Sequence, residues 1–161
     1  MTDQPIPEDM GDGGSLAEPT ASPRDPATTL TTAMVVYIFI NLAFALPLVI
    51  FPAAYFDLIG LDDAVADDLG GLRWVGAMLL AWSITAIQVM ARPEGKGVFV
   101  STGAFQLTLG ALAFLYSWSL REYNWDLWYQ IVSSLLLTGG AVYMWWARMS
   151  GRKLLKGKPR G

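Results

Sequence analysis

Four long runs of apolar residues constrain this chain more than any other feature of its sequence. They extend over about 30–51, 71–91, 97–118 and 128–147. A helix that crosses the hydrocarbon core of a bilayer needs about 20 predominantly apolar residues, and each run has about that length. None of the runs shows the strict alternation of a barrel strand, and a lipid-embedded backbone must satisfy its own hydrogen bonds. The sequence therefore predicts an all-α fold, a four-helix transmembrane bundle.

The composition agrees with a membrane protein and excludes several chemistries. Only 16% of the 161 residues are charged, against about 25% in an ordinary soluble domain. The chain has no His and no Cys. A disulfide, a zinc finger, a His-ligated haem, a thiol nucleophile and a catalytic histidine are therefore excluded. We expect a non-catalytic protein with no cofactor and no bound metal.

The two tails carry opposite charge. Residues 1–28 hold six acids, one base and five prolines, which predicts a disordered acidic tail. Residues 29–147 form the predicted membrane domain, and residues 148–161 form a basic tail with six Lys and Arg and no acid. The basic tail begins where the last span ends, which favours contact with anionic membrane lipids over an acidic partner. We expect no nucleic-acid partner, because aromatic residues do not alternate with the bases.

The distribution of Lys and Arg predicts the orientation. An even number of spans places both termini on one side, and that side receives nine of the 11 bases. The other side receives only Arg73 and Arg121. Because cytoplasmic loops carry the excess of Lys and Arg, we expect both termini to be cytoplasmic. The expected location is a bacterial inner (plasma) membrane.

Polar residues within the spans are the candidate functional residues. Arg73 lies about one turn from the outer surface, and Asp67 and Asp68 precede it closely enough to pair with it. Asn41 and Gln106 lie near the midplane, and Gln130 lies near the outer level of Arg73. Arg73 is interpreted either as an Arg that reaches the interface beside those carboxylates or as an anion or headgroup site. The first interpretation is the simpler one.

Helical spacing groups small and polar residues into one face in each of spans two to four, whereas span one has only the Tyr37, Asn41 and Ala45 segment of such a face. We expect these faces to form the bundle interior, with a polar ligand pocket reached past Arg73 as the alternative. The predicted faces are Met34, Tyr37, Asn41, Ala45 and Leu48; Arg73, Ala77, Ala81, Ile84 and Gln88; Thr102, Gln106, Gly110, Ala113 and Ser117; and Gln130, Ser134, Thr138, Ala141 and Trp145.

Two connecting segments also carry predictions. The apolar segment 52–61 is expected to form a short interfacial helix, and the breaker-rich segment 91–97 predicts a tight hairpin between spans two and three. The acids Asp62, Asp63, Asp67 and Asp68 are interpreted as a solvated loop rather than a divalent-cation site, because their spacing is not that of an EF-hand.

Residues 50–147 resemble the DoxX-like group of small four-span bacterial membrane proteins. The resemblance rests on FPAAYFDLIGL after span one, the acidic link, LRWVGAMLL at the start of span two and the ARPEGKG hairpin. It implies a four-span fold, and Arg73 matches an Arg often found at the start of the second span in that group. Some relatives are linked to thiosulfate–quinone redox chemistry, but this chain has no Cys to serve as a redox thiol.

Three functions are compatible with the sequence. We favour an accessory or assembly subunit of a larger membrane complex, because catalytic side chains are missing and both tails are suited to reach partners. An oligomeric small-molecule transporter or channel component is the alternative, with Arg73 in an anion or headgroup site. A membrane enzyme that acts on lipid or quinone through the Asp62–Asp68 cluster is the third.

Overall fold

The computed structural model describes residues 25–61, 69–122 and 125–156, and these residues form helices without any strand. The six helices are α1 (Pro26–Ile50), α2 (Pro52–Leu58), α3 (Leu69–Ala91), α4 (Gly97–Leu120), α5 (Leu127–Ser150) and α6 (Arg152–Leu155). Four of them, α1, α3, α4 and α5, are long and apolar enough to cross a membrane. The predicted all-α four-helix bundle is confirmed, and the chain is an integral membrane protein.

The first span begins earlier than the apolar run suggests. An Asp25 carboxylate oxygen accepts a hydrogen bond of 3.2 Å from the backbone N–H of Ala27, and Pro26 occupies the first helical turn. This is a side-chain cap followed by a residue whose φ is already helical. Residues 26–28, which composition places in the disordered tail, therefore belong to α1. The rest of that predicted tail, residues 1–24, lies outside the described residues.

The short helix predicted within 52–61 is confirmed as α2, and its position at the membrane interface stays a prediction. Pro52 cannot continue the preceding helix but suits the first turn of the next one. The side chains of Tyr55 and Phe56 are buried, and the Tyr55 hydroxyl donates a 2.9 Å hydrogen bond to the hydroxyl of Tyr129 on α5. Burial, with a smaller contribution from Tyr129, raises the pKa of the Tyr55 phenol far above its ordinary value of 10.0. Tyr55 is therefore a neutral side chain that joins α2 to α5 at the end of the bundle opposite the termini.

Helix α1 is the centre of the bundle. It packs against α3 on one side and α5 on the other, and α5 packs in turn against α4. The side chains of Ala33, Met34 and Tyr37 have no exposed surface. Two glycines allow the close approaches: a Cβ on Gly76 of α3 would lie 3.0 Å from the carbonyl oxygen of Ala45, and one on Gly140 of α5 would collide with Ile40.

Spans two and three are joined by a short loop, as predicted, but the hairpin is not a principal packing pair. Gly95 takes a left-handed φ of 73° in the turn between them. Helix α3 instead packs mainly on α1, and α4 packs mainly on α5. The rings of Trp82 on α3 and Phe99 on α4 nevertheless contact each other, with centroids 5.2 Å apart. The two helices therefore touch on the half of the bundle nearest their connecting loop.

The start of the first span and the end of the last span lie at the same end of the bundle. A Cβ on Gly151 would lie 3.7 Å from the Leu30 side chain, and the Gly95 N–H donates a 3.2 Å hydrogen bond to the Leu155 carbonyl. Leu155 is buried against this loop. The first part of the predicted basic tail is thus ordered: residues 148–150 complete α5 and residues 152–155 form α6. This arrangement agrees with termini on one side.

Candidate functional site

A network of three polar side chains joins α1 to α4. The Tyr37 hydroxyl donates a hydrogen bond to Oε1 of Gln106. Nε2 of Gln106 donates to Oδ1 of Asn41 at 3.1 Å, and Nδ2 of Asn41 donates to the Tyr37 carbonyl at 2.8 Å. Tyr37 is fully buried and Asn41 is 2% exposed. The two amides that the sequence places near the midplane are therefore brought together.

The network has donor capacity left over. Each carboxamide carries two N–H donors and an oxygen with two lone pairs. The Gln106 N–H₂ group donates one hydrogen bond, whereas the Asn41 side chain bonds both the carbonyl and the side chain of Tyr37. One N–H of Gln106 therefore has no acceptor among residues 25–61, 69–122 and 125–156. Each carboxamide oxygen accepts one bond, and a buried N–H without a partner is rarer in proteins than an unfilled lone pair, so the unmet requirement near the midplane is for an acceptor.

Asn41 and Gln106 line a cavity of about 400 Å³. The cavity extends toward the end of the bundle that contains α2, and all four spans contribute to its wall. Its lining is almost wholly apolar: Ile40, Asn41, Phe44, Leu48, Val75, Leu79, Gln106, Leu107, Gly110, Phe114, Trp125, Tyr129 and Leu137. Among the residues that the structure describes, no charged side chain lines this cavity. The amides are thus the polar end of an apolar chamber.

Aromatic residues form the outer end of the cavity. The rings of Phe114 and Trp125 stack with centroids 4.8 Å apart, and Tyr129 meets Trp125 edge-on at 5.8 Å. Gln130 does not line the cavity; its Nε2 donates to the Trp125 carbonyl and holds the segment in front of α5. The sequence carries no signal that Trp125 and Tyr129 line a cavity.

Arg73 does not face this cavity. It is exposed, and so are the other members of its predicted face, Ala77, Ala81, Ile84 and Gln88. The prediction that this face of span two forms the interior is wrong. Gly76, Ser83, Ala86 and Val89 are buried in its place. The physical reason is the close crossing at Gly76, which lies against Ala45 and Val49 of α1 and turns the other face of α3 outward.

Of the other three predicted faces, one is confirmed and two are rotated from the prediction. The face of span one is confirmed, because Met34, Tyr37, Asn41, Ala45 and Leu48 are all buried. The faces of spans three and four are rotated from the prediction. Thr102, Ala113 and Thr138 are exposed, whereas the buried positions include Gly103, Leu107 and Gly140. The close contacts of Gly103 and Gly140 with α1 fix this rotation.

The predicted partners of Arg73 lie outside the described residues. Asp67 and Asp68, with Asp62 and Asp63, fall in residues 62–68. Their pairing with Arg73 stays a prediction. Within residues 25–61, 69–122 and 125–156, no group of three His, Cys, Asp or Glu side chains is placed to hold a metal ion.

A basic cleft lies at the end of the bundle that contains α6. It has a volume of about 220 Å³ and is lined by Gly97, Arg148, Arg152, Leu155 and Lys156. The Arg148 guanidinium donates from Nε to the Ser101 hydroxyl on α4. The first half of the predicted basic tail is therefore folded back against the loop between α3 and α4.

Comparison of the chain with protein-family models, with curated proteins and with solved structures finds no match in any of the three. The resemblance to the DoxX-like group stays a prediction from the sequence. The chemistry of the cavity and of the exposed face of α3 is therefore the basis for assigning a function.

Proposed function

We propose that this integral membrane protein is a non-catalytic accessory or assembly subunit of a larger membrane complex. The observation that carries the proposal is the outward face of α3. This face, formed by Arg73, Ala77, Ala81, Ile84 and Gln88, is exposed although it is the most polar face of that helix. Its small and polar residues suit close contact with another transmembrane helix.

Association of helices in lipid depends on close packing and interhelical hydrogen bonds, since lipid tails are as apolar as Leu. Ala77 and Ala81 are spaced by four residues and allow another helix to approach closely. A groove of about 200 Å³, lined by Met78, Ala81, Trp82, Thr85 and Phe99, runs beside them. Gln88, further along the same face, offers a side-chain amide. These features suit a transmembrane helix of a partner protein.

The charge of Arg73 supports a different protein over a second copy of this chain. Arg73 lies at the outer end of the α3 face. In a parallel pair of copies that associate through α3, two Arg73 side chains would lie at the same depth and repel each other. A partner helix with an acid or a hydrogen-bond acceptor at that depth avoids this repulsion. The alternative is an oligomeric transporter or channel component in which an anion or headgroup binds between the Arg73 side chains.

We further propose that the end of the bundle that contains α6 faces the cytoplasm of a bacterial cell. Six described bases lie at that end: Arg92, Lys96, Arg148, Arg152, Lys153 and Lys156. Only Arg73 and Arg121 lie at the other end of the described chain. An excess of Lys and Arg marks the cytoplasmic side of a membrane protein, and anionic lipids attract such a cluster.

The test is purification from native membranes in a gentle detergent, followed by native electrophoresis and mass spectrometry. We expect wild-type protein to travel with larger membrane proteins in fixed stoichiometry. The double substitution Ala77→Leu with Ala81→Leu removes the close approach, so the partners should be lost. The control Ala113→Leu changes an exposed alanine of α4 and should keep them.

Two outcomes would overturn the proposal. One is recovery of this chain alone or only as a homo-oligomer, which would favour the transporter alternative. The other is a complex that is equally intact with the Ala77→Leu and Ala81→Leu substitutions, which would exclude the α3 face as its contact.

A further inference from the structure

We propose that the cavity between the four spans binds a neutral, largely apolar molecule that carries a carbonyl-type hydrogen-bond acceptor, with the acceptor placed at Gln106 beside Asn41. This inference is independent of the proposed function, which depends on the opposite side of α3. It rests on the cavity's size, its lining and the unused N–H of Gln106.

The size and lining require an apolar occupant. Small-molecule sites in proteins have volumes of about 300–1,000 Å³ and are mostly apolar with a few placed polar groups. The cavity of about 400 Å³ fits this description. Dry apolar cavities of roughly 150 Å³ already take up benzene. Because no charged side chain among the described residues lines the cavity, an ionic ligand would lie unpaired against this lining in a medium of low dielectric constant.

The chemistry of the amides selects the polar group. Gln106 offers one unused N–H, and both carboxamide oxygens already accept one hydrogen bond each. A carbonyl oxygen accepts a hydrogen bond and has no hydrogen of its own to satisfy. A buried water at that position would need about two to four partners, in a lining that is otherwise apolar. A carbonyl-type acceptor therefore suits this end of the cavity.

The route of entry is lateral. Val75 and Leu79 of α3 and Gly110 and Phe114 of α4 line the cavity. These two helices pack principally on α1 and α5, not on each other. Their ring contact between Trp82 and Phe99 lies on the other half of the bundle. The outer half of the α3–α4 boundary is therefore where a molecule dissolved in the bilayer reaches the amides.

Gly110 provides a variant that fills the cavity. A Cβ at Gly110 would meet only Leu137, at an ordinary contact distance of 3.9 Å, so Gly110→Leu projects a side chain into the free volume. Gly139 on α5 is the matched control, because a Cβ there meets nothing within 4 Å and the residue does not line the cavity. Both variants replace a glycine inside a span with leucine.

The first experiment is photolabelling of the full chain in detergent with benzophenone, a neutral diaryl ketone that attaches to nearby C–H bonds on irradiation. Peptide mass spectrometry should map the label to cavity residues such as Leu79, Leu107 and Leu137. Gly110→Leu should reduce this labelling at least tenfold, and Gly139→Leu should leave it unchanged. Equal labelling of these residues in wild type and Gly110→Leu would overturn the proposal.

The second experiment tests the acceptor. 2-Tridecanone and n-tridecane share a chain, but only the ketone accepts a hydrogen bond. We expect the ketone to compete with benzophenone about two- to tenfold better than the alkane, the ratio that corresponds to one net hydrogen bond. Equal competition by the two compounds would overturn the assignment of the amides.

A triple substitution separates the amide effect from loss of the fold. Tyr37→Phe, Asn41→Leu and Gln106→Met replace all members of the network with apolar groups of similar size, so no partner is left unpaired. This variant should still be labelled by benzophenone in the cavity. The preference for the ketone should disappear. Retention of that preference would contradict the proposal.

Discussion

Polar side chains within the spans form hydrogen bonds to another helix where a partner lies within reach, and otherwise to a carbonyl of their own helix. Asn41 and Gln106 are buried or half-buried near the midplane and bond to each other and to Tyr37. Ser83 on α3 bonds back to a carbonyl of its own helix at 3.0 Å, as hydroxyl groups in helices often do. The network between α1 and α4 thus depends on tertiary contact, whereas the hydroxyl bonds are local.

The Tyr37–Gln106 bond should couple α1 to α4 energetically. We expect a double-mutant cycle of Tyr37→Phe and Gln106→Met, measured as free energy of unfolding in mixed micelles, to give a coupling of about 0.6–1.7 kcal/mol. The reason is that each single substitution leaves a buried partner without its bond. Tyr116→Phe, at an exposed position on α4, is the control and should change nothing. Strict additivity in the cycle would contradict a direct bond.

For a single residue, the sequence predicts the depth of the side chain along its span but not the direction in which it points around the helix axis. The position of Asn41 and Gln106 within their spans follows from counting residues. The hydrogen bond between them agrees with the similar depth that this count gives. The position of Arg73 near the outer surface follows in the same way. That Arg73 faces away from the bundle does not, because depth along a helix contains no information about rotation.

The rotation of each span is decided by its closest helix contact. Two faces of α3 are rich in small residues: one carries Gly76, Ser83 and Ala86, and the other carries Ala77 and Ala81. The preference for small residues at helix interfaces applies equally to both. A Cβ at position 76 would lie 3.0 Å from the Ala45 carbonyl oxygen, so only glycine permits this crossing of α3 with α1, and the Gly76 face is buried. The face of α1 was predicted correctly because its alternatives are large and apolar.

Gly76 should therefore be the least tolerant glycine of α3. Gly76→Ala places a Cβ 2.7 Å from the Val49 side chain and 3.0 Å from a backbone oxygen, and the backbone oxygen has little freedom to move. We expect a loss of about 1–3 kcal/mol in unfolding free energy, the usual cost of overpacking. Gly139→Ala meets no atom within 4 Å and should be neutral or gain up to about 1 kcal/mol through helix propensity. Equal stability of the two variants would show that the α1–α3 crossing is looser than described.

On the scale of the whole molecule, the sequence predicts the number of spans, their order and the placement of both ends of the bundle on one side. The cavity could not be predicted in this way. Its wall combines Val75 of α3, Gly110 of α4 and Leu137 of α5, which lie far apart in the chain. Its volume depends on how α1 separates α3 from α4, and no periodicity in one span encodes that separation.

The orientation of the molecule gives a direct prediction. Because the chain has no Cys, single cysteines report their own accessibility without background. Glu94 lies in the loop beside α6, and Glu122 lies at the opposite end after α4; both are exposed. In intact cells, a membrane-impermeant maleimide should label Glu122→Cys and leave Glu94→Cys unlabelled until the membrane is permeabilised. The reverse pattern would invert the proposed orientation.

In the function that we propose, the outward face of α3 contacts another membrane protein. The most direct measurement replaces Ala81 with a photoreactive amino acid, irradiates native membranes and identifies the products by mass spectrometry. Position 113, exposed on α4, serves as the reference. We expect one discrete product at position 81 that contains a different transmembrane protein. The same product should not form from position 113. Lipid adducts alone, or adducts only with a second copy of this chain, would contradict it.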